Sequence, residues 1–166
     1  MKKNFPFIII AMLILLVFTG CPYESAVPLG DPQKSVMDHD ILGRWVNIRS
    51  NPSGSNDTLL IMKFNDHEYY IESHAIKNGK IKTERTRGFT TLIRNQKVLN
   101  ITDLNEPGKY VFARYEIKGE KMVASSPTDN FIKESFSSSH DLFEFFKKNM
   151  DKEGFYEEAD TLIKIK

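Results

Sequence analysis

The 166-residue chain has a single cysteine, Cys21, so no disulfide can form within it. Its four histidines, His39, His67, His74 and His140, fall at no two-His spacing on one element. Neither HExxH nor a Cys/His cluster is present, which leaves no metal-ligand pattern and implies no cofactor. Gly-x-Ser-x-Gly is missing too, and Ser135, Ser137, Ser138 and Ser139 cluster without an oriented base, so the chain is not read as an enzyme. Charge of one sign is also lacking: 23 Lys and Arg stand against 22 Asp and Glu. A near-neutral chain argues against nucleic acid as a partner, because phosphate neutralisation needs a basic surface. Finally, no apolar run approaches the ~20 residues that cross a bilayer as a helix.

A shorter run is there. Lys2 and Lys3 precede an unbroken apolar stretch from Phe7 to Phe18, followed by the small pair Thr19-Gly20 and then Cys21. The stretch has roughly the 7–15 residues of a signal h-region. In this order the elements resemble a bacterial lipoprotein signal, with Phe18 where that pattern usually has Leu. The resemblance implies a signal peptide over 1–20, acylation of the Cys21 thiol, typically by three chains such as palmitate, and a lipid-anchored place in the cell envelope. Durable attachment takes more than one chain, each buried methylene contributing ~0.8 kcal/mol. Pro22, not Asp, follows the cysteine, which favours the outer membrane in a host with two membranes.

From Cys21 to Asp38 the chain carries Pro22, Pro28 and Pro32. Prolines cannot sit in a helix interior or a central strand, so 21–38 is expected to be an extended tether. The remainder, 39–166, is long enough for one domain with a core.

This domain opens on Asp40-Ile41-Leu42-Gly43-Arg44-Trp45. Glycine permits a tight entry into a strand, and a large indole can plug a barrel end. Gly43-Arg44-Trp45 resembles the Gly-x-Trp motif that begins the first strand of lipocalins and their bacterial relatives. The downstream pattern is strand-rich. Thr58–Phe64 is bounded by turn residues, including Asn51-Pro52-Ser53-Gly54. Glu68–Ile76 alternates, with Tyr69, Ile71, Ser73 and Ala75 on one face. Asn78-Gly79 is a hairpin signal, and Gly88 suggests a bulge or bend in the return strand Lys80–Arg94. Lys97–Thr102, Lys109–Ile117, Lys121–Ala124 and Asp160–Lys166 complete the series. One late helix interrupts it: Ser138 caps a run with Leu142, Phe145, Phe146 and Met150 at helical spacing. Phe131–Phe136 fits either a short helix or a strand.

The expected fold is therefore mainly β: an antiparallel up-and-down barrel of about eight strands with one late helix packed outside the sheet. The lipocalin resemblance implies binding of a small apolar ligand, with Tyr69, Phe89, Phe112 and Tyr115 as candidate cavity residues. It also implies an arginine across the plugging Trp, a role open here only to Arg114. Arg85 and Arg87 share a face with Ile81, Phe89 and Ile93; they either await an anionic ligand inside the barrel or are solvated outside it. Asp38-His39-Asp40 reads as a solvated hinge. The competing functional expectation is an envelope structural or protein-interaction module whose barrel is filled by its own side chains.

Overall fold

The computed structural model describes residues 22–48, 57–77, 80–105 and 107–166. The signal, Cys21 and the turns at Asn51–Gly54 and Asn78-Gly79 lie outside them.

Among the described residues nine strands form: β1 Glu24–Ser25, β2 Gly43–Asn47, β3 Thr58–Lys63, β4 Tyr69–Lys77, β5 Lys80–Ile93, β6 Gln96–Asp103, β7 Tyr110–Lys118, β8 Lys121–Ser125 and β9 Asp160–Ile165. Strands β2 to β9 each pair antiparallel with the next, and β9 pairs back with β2. The result is a closed, eight-stranded, up-and-down barrel with a lipocalin-like fold. Turn chemistry sets the hairpins: Arg94 and Asn95 both take positive φ, the geometry of a two-residue hairpin between β5 and β6, and Gly119 takes positive φ in the turn between β7 and β8, while the pairing of β9 with β2 closes the barrel.

Strand register decides which side chains face inward. Trp45 pairs with Leu59, Ile61 with Ile71, Tyr69 with Gly88, Thr90 with Leu99, and Tyr115 with Ala124. These positions form the interior, around a core of Ile41, Trp45, Ile61, Tyr69, Ile71, Leu99, Tyr115 and Met122. A second core lies outside the sheet. Helix α1, Ser139–Asn149, packs Leu142 and Phe146 there with Tyr23, Leu29, Ile93, Val98, Phe112 and Phe155. Ser138 caps the helix, its Oγ accepting from Asp141 N at 3.1 Å. Phe131–Phe136 is neither helix nor strand beyond one turn residue, although Ile132 is buried.

Two expectations change at this level. Gly88 sits in continuous register with Tyr69 on one side and Ile101 on the other, so it makes no bulge. A Cβ there would run into Asn100 O, and close backbone approach is the reason for glycine. The segment expected to stand off as a tether instead lies on the barrel. Strand β1 pairs with β7, Leu29 is fully buried with its N–H donating to Asn100 Oδ1 at 2.7 Å, and Ser35 Oγ donates to Thr90 O at 2.8 Å. Extended backbone rich in proline can pack as well as span, given apolar side chains such as Tyr23 and Leu29 at intervals.

Candidate functional site

The barrel has two unlike ends. At one end the chain enters β2 through a 3₁₀ turn, His39–Ile41, and Gly43 with φ +131. Trp45 is wholly buried behind this turn, its Nε1 donating to Ile41 O at 2.8 Å. Lys164, from the last strand, lays its Nζ 5.1 Å from the Trp45 ring and donates to Asp40 O at 3.0 Å. Lysine, not arginine, therefore crosses the plugging Trp. Arg114 is elsewhere: on the outer face it lies 4.2 Å over the Tyr156 ring and donates to Ser125 Oγ at 3.3 Å. Sequence spacing offered a clue to Lys164, because it shares the inward parity of Leu162.

A polar cluster seals the same end. The Asp38 carboxylate, at the residue before the 3₁₀ turn, accepts from Lys97 Nζ at 2.6 Å and Tyr115 OH at 2.9 Å. Tyr69 OH accepts from Asp38 N at 2.8 Å, and Thr90 Oγ1 meets Tyr115 OH at 2.9 Å and Tyr69 OH at 3.3 Å. Burial pushes the Asp38 carboxyl upward, but the bonds from Lys97 and Tyr115 and the Lys97 charge outweigh it, holding the group below its ordinary value. Burial drives the Tyr69 and Tyr115 hydroxyls up, so both stay neutral. Asp38 is thus a structural clamp, not a solvated hinge.

The other half of the barrel is built differently. Ile101 in β6 is half-buried, while its neighbours Asn100 and Thr102 are buried beneath the outer layer. Its strand is paired on both sides, so the surface Ile101 leaves accessible faces inward. Leu59, Ser73, Val111, Ala113, Ala124 and Leu162 have the same inward parity and the same partial exposure. The interior is packed around Trp45, Tyr69 and Tyr115; beyond them the inward positions are partly buried or exposed, and they mix apolar Leu59, Ile101, Val111 and Leu162 with polar Ser73, Thr86 and Asp103. Ala113 and Ala124 at such positions leave width that larger side chains would take up.

Of the four residues expected to line a cavity, Tyr69 and Tyr115 lie inside at the floor of the barrel, joined through Thr90. Phe89 and Phe112 have the opposite parity and lie on the outer face, Phe112 stacking on Tyr23 at 6.2 Å and meeting Phe146 edge-on at 5.4 Å. The face shared by Arg85 and Arg87 also points outward; Arg85 binds Glu72 at 3.0 Å and Arg87 meets Glu68 at 3.7 Å. Among the described residues no three His, Cys, Asp or Glu side chains come together to hold a metal ion, and no helix is long and apolar enough to cross a membrane. No family model, curated protein sequence or solved structure matches the chain.

Proposed function

We propose that the protein is a lipoprotein of the bacterial cell envelope, anchored through acylated Cys21, that takes a small, mostly apolar ligand into the open half of its barrel. The inward exposure of Ile101, between two buried outer neighbours, carries the ligand reading. Apolar positions such as Leu59, Ile101, Val111 and Leu162, with a few polar groups among them, suit a small-molecule site, where burial of ligand surface supplies the affinity. The order of Lys2-Lys3, apolar run, Thr19-Gly20 and Cys21 carries the anchor.

Native mass spectrometry of the protein from its host envelope tests the ligand. The expected result is a bound mass that leaves on denaturation and is missing from an Ala113→Phe, Ala124→Phe variant that still folds. A bare wild-type chain would set this reading aside. The anchor is tested separately: Cys21→Ser should leave the protein in the soluble fraction, and a variant that stays membrane-bound would overturn acylation.

The second reading, a protein-interaction module, is favoured by one observation: β6 pairs with β5 no further than Thr86, so among the described residues Lys80–Glu84 has no strand beside it on that side.

A further inference from the structure

Strand β5 is the longest in the barrel, and its two sides are unequally covered. Strand β4 pairs with it from Gly88 back to Lys80. On the opposite side β6 reaches only Thr86, opposite Asp103, and Leu104 N adds one bond to Arg85 O at 3.2 Å. Among the described residues, the stretch Lys80–Glu84 therefore has no neighbour on that side.

Main-chain groups alternate along a strand, so the Arg85 bond fixes the phase. With Arg85 O turned to this side, the N–H and C=O groups of Thr83 and Ile81 point the same way, out of the sheet edge. Such an edge is a template for another strand.

We propose that a second copy of this chain fills it, by antiparallel pairing of β5 with β5 about a two-fold axis at Thr83. Charge selects both the partner and the register. Outward-pointing residues must meet outward-pointing residues, which leaves few two-fold registers along this stretch. An axis at Ile81 sets each Lys80 against Lys82 of the other copy. An axis at Lys82 sets Lys82 against itself, and one at Glu84 sets Glu84 against itself. Only at Thr83 do opposite charges meet with no like pair: each Lys82 faces Glu84 of the other copy, at the closer, non-hydrogen-bonded positions. The two Thr83 residues form the central hydrogen-bonded pair.

Within one chain Lys82 and Glu84 already bind each other, and both are more than half exposed, so they are free to exchange partners. The contact is isologous, so it closes as a dimer and does not extend into a filament.

Sedimentation equilibrium of the full chain, in density-matched detergent, tests this. A reversible monomer–dimer equilibrium is expected. Lys82→Glu or Glu84→Lys alone should weaken it on the order of tenfold, since each replaces two cross-strand attractions by repulsions. The double variant Lys82→Glu, Glu84→Lys restores opposite charges and should recover the dimer. Thr83→Pro removes an edge donor and should abolish it, with the circular dichroism of the monomer unchanged. A wild-type chain that is monomeric at every concentration reached overturns the proposal. So does a dimer indifferent to the single charge reversals, or one that the double reversal does not restore.

Discussion

Lys164 Nζ stands 5.1 Å from the ring of Trp45 and at the same time donates to Asp40 O at 3.0 Å. One side chain thus ties the last strand to the turn that leads into the first, across the seam where the barrel closes. Gly43 is part of the arrangement, because a Cβ there would collide with Lys164 Cε. Lys164→Ala should destabilise the protein by about 1–2 kcal/mol, from a cation–π contact of about 0.5–1 kcal/mol and one hydrogen bond of similar worth. Lys164→Arg should recover most of it. Urea unfolding is the measurement, and a shift in midpoint at constant slope is the expected form.

The barrel was legible where one face of a strand is buried and the other wet. Tyr69, Ile71 and Ser73 announce their face by alternation, and Ser138 announces the helix by its capping chemistry. Legibility failed where both faces are covered. Strands β5 to β7 carry the helix and the N-terminal segment on their outer side, so Phe89 and Phe112 are as apolar as any interior residue. Periodicity cannot tell two buried faces apart. The N-terminal segment misled for a different reason: prolines report what the backbone cannot pair with, not whether its side chains are buried. Leu29, fully buried, stands alone between Pro28 and Gly30 and has no period to betray it.

Leu29 gives that point a test. Its side chain fills the outer core with Val98 and Phe112, and its N–H satisfies the buried Asn100 side chain. Leu29→Ala should cost about 2–5 kcal/mol, the range for a buried leucine cavity. A loose spacer would lose almost nothing. Denaturant midpoints of the two proteins decide between these values.

Gly88→Ala is expected to be disruptive despite adding one methyl group. The new Cβ would meet Asn100 O, a main-chain atom held by the β5–β6 ladder, and Ile71 Cδ1 at 3.3 Å. Main chain cannot swing aside as a side-chain tip can, so the strands must part. Overpacking of this kind costs about 1–3 kcal/mol. Thermal unfolding should show a fall in Tm, and hydrogen exchange should show faster exchange of β5 and β6 amides near the substitution.

Asp38 makes stability depend on pH in a defined direction. Its carboxyl is held below its ordinary value, so the folded protein binds that proton less readily than the unfolded chain does. The Asp38 contribution is therefore complete above the unfolded value, about 3.9, and disappears as pH falls through the folded one. Asp38→Asn keeps the size of the side chain but removes the charge opposite Lys97. Measured as unfolding free energy against pH, wild type should exceed Asp38→Asn at neutral pH. The gap should narrow below about pH 4 as the wild-type carboxyl takes up its proton. A gap that stays constant through the acid range would mean that Asp38 acts by shape alone, with its charge contributing nothing to the seal of the barrel.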